Sequence, residues 1–225
     1  MTLDRRDFVG RVAASALLAG LPLPIDASVR ALSQPRAMVA EDWDLSWVKR
    51  ITGKYRAIFD VPEIDSGYGV WRASIWGKQY MDVLGVKPNE LSAVLVLRHH
   101  GIQLAMQQGY WDKYAIGKEK SVLHPITQQG TDRNPALLSS TRNEVPAMFD
   151  DAALDKFIGR GGIVLACNLA LDDVVEVIQK KDNASDADAR KQAIGFMVPG
   201  VILQPSGVFA ALHAQDAGCK YLRAS

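Results

Sequence analysis

Three side chains have the chemistry of a group-transfer site: Cys167, which closes the apolar run Ile163-Val164-Leu165-Ala166, and the consecutive His99 and His100, which follow the run Leu91–Leu97. A thiol placed at the end of a strand and the start of a helix sees backbone N–H groups that favour its thiolate, the nucleophilic form. An adjacent imidazole can act as a general base or set the charge of the sulfur. Successive residues leaving a strand point in opposite directions, so only one of the two histidines easily faces such a site. The ordinary role of a free cysteine, that of a small buried hydrophobe, stands beside this reading.

His99, His100 and His124 are also a conceivable metal set. No His-x-His, Cys-x-x-Cys or His-Glu-x-x-His spacing accompanies them, and no metal ligand is assigned. Gly67-Tyr68-Gly69 would need its third glycine at Arg72, so a dinucleotide loop is unsupported, and neither a P-loop nor a Gly-x-Ser-x-Gly elbow is present. No cofactor is expected. Trp71, Trp76 and Trp111 read as core or interface anchors, and His213 as a packing residue inside a helix. Cys219 opens the last apolar run rather than closing one, which puts it at the opposite sheet edge from Cys167 if that strand is parallel. A five-residue strand spans about 17 Å and bridged cysteines need Cα atoms within about 7 Å, so no disulfide is expected and Cys219 reads as structural.

The elements that position these groups alternate. Strands are predicted at Lys54–Asp60, Leu91–Leu97, Ile163–Ala166, around Val201-Ile202-Leu203, and at Tyr221-Leu222. Between them lie helical patterns. From Tyr68 to Leu84 apolar residues recur at Val70, Ala73, Gly77, Tyr80, Met81 and Leu84, which predicts one buried face, with Gly85 as the stop. Further helices are expected after His100, around Trp111, from an Asp150 N-cap through Ile158, from Leu169 to Gln179, after Ser185, and after Ser206-Gly207. Residues 118–147, with Pro125, Gly130, Pro135 and Pro146, keep no period and read as an inserted loop serving as an oligomer contact or a lid. Strands separated by helices imply right-handed βαβ units: an α/β fold, doubly wound, with a mainly parallel sheet of five strands and helices on both faces. Ligands would gather at the carboxyl ends of its strands, near Asp60–Gly69, His99-His100-Gly101 and Cys167-Asn168.

The chain has 225 residues, of which 48% are hydrophobic and 23% charged, an ordinary globular composition. Its net charge of +1 gives no basis for a nucleic-acid partner. Residues 1–40 carry five arginines against three aspartates and have the pattern of an export signal, a basic start followed by the apolar run Val12–Leu21 and Pro22. That run is shorter than the ~20 residues that span a bilayer, so no stable membrane anchor is expected after cleavage. Arg5-Arg6-Asp7-Phe8 resembles the twin-arginine signal of proteins exported already folded, with cleavage after Ala31 or Ala40. Residues 41–225 would then form a single periplasmic domain.

Taken together, Val164-Leu165-Ala166-Cys167-Asn168-Leu169-Ala170-Leu171, His99-His100-Gly101-Ile102, Val198-Pro199-Gly200, Pro205-Ser206-Gly207-Val208-Phe209 and Gly218-Cys219-Lys220-Tyr221-Leu222 resemble the DsrE/DsrF-like family, over about residues 54–223. The resemblance implies a small α/β fold and assembly into oligomers. Its sulfur-relay members carry a persulfide on a cysteine placed like Cys167. The implied function is an exported sulfur carrier, in which Cys167 accepts sulfane sulfur and passes it on, His99 or His100 tunes its charge, and a donor or acceptor protein is the partner. The alternative is a non-catalytic oligomeric module of the periplasm that binds a small ligand or metal in the same cleft.

Overall fold

Four runs rich in Val, Ile, Leu and Phe and the short Lys220-Tyr221-Leu222-Arg223 become five strands in the computed structural model, which describes residues 43–225. They are β1 (Tyr55–Val61), β2 (Leu91–Leu97), β3 (Ile163–Cys167), β4 (Val201–Gln204) and β5 (Lys220–Arg223). The segment read as an export signal lies outside the described residues. The strand order is β4-β3-β2-β1-β5, and all four pairings are parallel. A parallel pair needs a crossover, and the chain supplies it with helices.

These are α1 (Tyr68–Leu84), α2 (Gln108–Tyr114), α3 (Ile116–Glu119), α4 (Leu154–Gly159), α5 (Asn168–Asp182), α6 (Asp186–Gly195) and α7 (Gly207–Asp216). Alternation along the strands divides the core in two. Phe59, Leu95, Leu97 and Val164 pack with α1, α2, α5 and α6 on one face, whereas Ile58, Val94, Val96 and Leu165 pack with Trp47, Ala210 and Ala214 on the other. The sheet is therefore covered on both faces, as the near-continuous apolar strands require. α7 crosses the second face to carry the chain from β4 at one edge to β5 at the other. Among the described residues no helix is long and apolar enough to cross a membrane.

Local chemistry sets most boundaries. Ser185 and Ser206 accept bonds from the N–H groups of Asp188 and Phe209 and so cap α6 and α7. The expected Asp150 cap is corrected: α4 has Ala153 at its N-cap, and Ala147–Ala152 forms a 3-10 helix instead. α1 departs from expectation in a more consequential way. Its buried face consists of Gly69, Val70 and Ala73, and the same face beyond Ala73 is only partly covered. The inserted segment 118–147 is not simply a surface loop, because Asn134 is fully buried and its Nδ2 donates to the Leu104 and Met106 carbonyls at 3.1 and 2.7 Å. Part of it is thus core packing of this chain.

Candidate functional site

Parallel pairing gathers the carboxyl ends of all five strands along one edge, and the sequence's chemistry-bearing residues stand there. Asp60 is the penultimate residue of β1, Arg98 follows β2, and Cys167 ends β3. The Arg98 Nε and Nη2 donate to the two Asp60 carboxylate oxygens at 2.7 and 2.8 Å, and the Tyr221 hydroxyl donates to Oδ2 at 2.7 Å. Burial works against ionisation of Asp60, but the bonds from Arg98 and Tyr221, aided by the charges of Arg98 and Arg223, outweigh it and hold the carboxyl below its ordinary range. Asp60 lies in the segment the sequence marks at the end of β1, but its pairing with Arg98 and Tyr221 is a finding of the structure. Its signal was a carboxylate inside an otherwise apolar strand, since a charge there must be paired.

At the ends of β3 and β4 the following helices, α5 and α7, leave for opposite faces, the place where an open parallel sheet usually holds its ligand. Here that place is filled. Gln204 is fully buried, accepts a bond from the Trp47 Nε1 at 3.1 Å and donates to the Asp44 carbonyl at 2.9 Å. Gly207, at the start of α7, lies against the Arg98 side chain.

Cys167 does occupy the N-cap position of α5, but its side chain makes no capping bond and is only 6% exposed within the larger core. This overturns the sulfur-carrier reading. Accepting or passing on sulfur requires a donor or acceptor sulfur to reach the thiolate, and the packing around Cys167 leaves no such approach. His99 and His100 are both exposed on the 3-10 helix His99–Ala105. The His100 Nδ1 lies 3.0 Å from Glu63 Oε2, so its partner is a carboxylate from the loop after β1. That loop and the histidine turn are pressed together: a Cβ on Gly101 would lie 2.1 Å from the Val61 carbonyl oxygen, so only glycine fits.

Cys219 is buried in the second core, where desolvation pushes its thiol up to about 11, and neither cysteine is bridged. His124 organises its own loop. Its Nδ1 accepts bonds from the N–H groups of Ile126 and Thr127 at 3.2 and 3.3 Å, so Nε2 carries the proton that faces the Glu144 carbonyl at 3.0 Å. Both nitrogens are engaged within the loop. Among the described residues no group of three or more His, Cys, Asp or Glu could hold a metal ion. His213 packs edge-on to Trp47 with ring centroids 5.5 Å apart.

A wide concavity among the described residues lies elsewhere. A groove of about 420 Å³ runs between α1 and the segment 148–162, over the amino end of β2. Leu91 and Ala93 of β2 line it, as do Gly161 and Gly162, which precede β3, while Trp71, Trp76 and Met81 line it from α1. Met148, Ala152 and Phe157 face them. The origin of the groove is a stripe of small residues, Gly69, Ala73 and Gly77, spaced four apart on α1. A Cβ on Gly69 would lie 2.6 Å from the Val61 side chain, whereas one on Gly77 would meet only the Leu91 side chain, at 3.7 Å. Helix and sheet thus touch at one end of the stripe and leave room at the other.

Trp111 is a core anchor as expected, fully buried with its Nε1 donating to the Gln103 carbonyl at 2.9 Å. Trp71 and Trp76 are less deeply placed, although Trp76 packs against the larger core, edge-on to Phe59 with centroids 5.7 Å apart. Both are half-buried in the groove wall, Trp71 stacked on Phe149 with centroids 6.3 Å apart and Trp76 leaning on Tyr80 at 4.9 Å. Family models and curated proteins contain no match to this chain.

Proposed function

We propose that this chain is a non-catalytic module that binds a small molecule in the groove between α1 and residues 148–162. One observation carries the proposal: the groove is an apolar concavity in the size range of small-molecule sites, while Asp60 and Arg98 at the carboxyl edge are engaged with each other. Membership of the DsrE/DsrF-like family, and with it assembly into a homo-oligomer, rests on the sequence resemblance and is supported by the five-stranded α/β architecture. Export to the periplasm by the twin-arginine route rests on Arg5-Arg6-Asp7-Phe8 and the apolar run after it. In a reporter fusion, Arg5 and Arg6 both replaced by Lys should block export, and export that persists overturns the route.

Thermal unfolding of the full chain against a library of small apolar compounds tests the binding function. A ligand at a hundred times its Kd stabilises the folded state by about 2.7 kcal/mol. Compounds with this effect should lose it in Gly77→Leu, whose side chain enters the groove, and retain affinity within about tenfold in Cys167→Ser. If every stabilising compound acts equally on Gly77→Leu, or none stabilises the protein, the groove is not a ligand site.

A further inference from the structure

We infer that the groove takes a neutral, flat, apolar molecule, a ring system rather than an anion or a cation. This inference rests on the binding function just proposed and names the class of its ligand. The charge distribution is the first argument. Charged groups in the lining are already engaged with the protein: Lys78 Nζ contacts Asp82 Oδ2 at 2.7 Å across one turn of α1, and Arg160 likewise has a partner. Ser74 in the lining has a partner as well. At the amino end, Arg50 Nη2 donates to the Gly161 and Gly162 carbonyls at 3.4 and 3.2 Å. A charged ligand would have to compete with these existing contacts for a counter-ion while losing its hydration.

Shape is the second argument. Ala93, Gly77 and Gly162 put no long side chain on the floor, and the walls carry the indoles of Trp71 and Trp76 and the ring of Phe157. A flat ring system gains most from such surroundings, through apolar burial and offset or edge-on ring contacts. Met81 in the wall and Met148 at the mouth, the latter 77% exposed, are unbranched and adapt to the outline of what enters.

A matched pair of fluorescent probes tests the inference: neutral N-phenyl-1-naphthylamine, and anilinonaphthalene sulfonate, which adds one fixed negative charge to nearly the same rings. Titrated into the full chain, the neutral probe should bind with 1:1 stoichiometry and at least tenfold more tightly, a difference of about 1.4 kcal/mol. Gly77→Leu should abolish this binding. Met148→Glu, at an exposed position outside the core, should weaken it threefold or more and serves where Gly77→Leu does not fold. Equal or tighter binding of the sulfonate, lost in Gly77→Leu, overturns the neutral class while leaving the groove as the binding site. Neutral-probe binding untouched by both variants overturns the inference and the site together. If neither probe binds, the ligand class is wrong, and the thermal screen decides separately whether the groove binds anything.

Discussion

The two ends of one sheet solve opposite packing problems. At the carboxyl edge Asp60, Arg98 and Tyr221 converge, and Gln204, Trp47 and Asp44 close the neighbouring crevice with hydrogen bonds of their own. At the amino end, α1 and the 148–162 segment touch where Trp71 stacks on Phe149, and beyond that contact they face each other across a groove lined by small and aromatic residues. Buried polar groups must find partners, which draws chain segments together and uses up space. Apolar groups have no such obligation, and where side chains are small and the backbone is held by other contacts, volume remains. In this chain the residues with the most reactive chemistry therefore mark the closed end, and the least reactive ones mark the open end.

Asp60→Ala gives the largest effect expected from breaking this contrast. It leaves the Arg98 guanidinium half-buried without its carboxylate and should cost about 3 kcal/mol in urea unfolding, the lower end for a broken buried pair because Arg98 keeps some exposure. Probe binding in the groove should change by less than twofold. A stability loss below about 1 kcal/mol would make the carboxyl edge a solvated surface instead, since exposed pairs contribute no more than that.

Acid offers a second, smaller way to separate the two ends. Asp60 has a depressed pKa in the folded state, so its contribution is fully present above the unfolded value, about 3.9, and is lost as pH falls through the folded value. Urea unfolding between pH 3 and 6 should show a shallower loss of stability below about pH 4 in Asp60→Asn than in the parent chain. Equal slopes would mean that other carboxylates carry the acid sensitivity.

Gly77→Ala is the smallest change and has the opposite sign. Its Cβ would make an ordinary contact with Leu91 at 3.7 Å, so the variant should gain about 0.5–1 kcal/mol of helix stability in calorimetry. A net loss would show that the floor of the groove is tighter than its geometry indicates.

Most of the fold was legible. The strand Leu91–Leu97 was marked by seven successive residues of which only Ser92 is polar, and α6 and α7 by serine caps, because these signals act within a few residues. The candidate site was far less so. Trp71 and Trp76 sit at helical positions that suit burial, and whether a core forms over them depends on residues 148–162, some eighty positions away. Cys167 shows the same limit from the other side: its place at the end of a strand was correctly read, yet its accessibility depends on how α5 and its neighbours pack.

The sequence by itself determined a parallel α/β sheet, nearly all of its elements, the separation of the two cysteines and the loop residues between helices, because periodicity, caps and turns are local properties of the chain. Tertiary structure alone decided that Asp60 and Arg98 pair at the carboxyl edge, that Cys167 is buried, and that a groove opens beside Gly77. Those outcomes depend on which distant segments meet and how closely. Packing sets them residue against residue, and no local pattern records it.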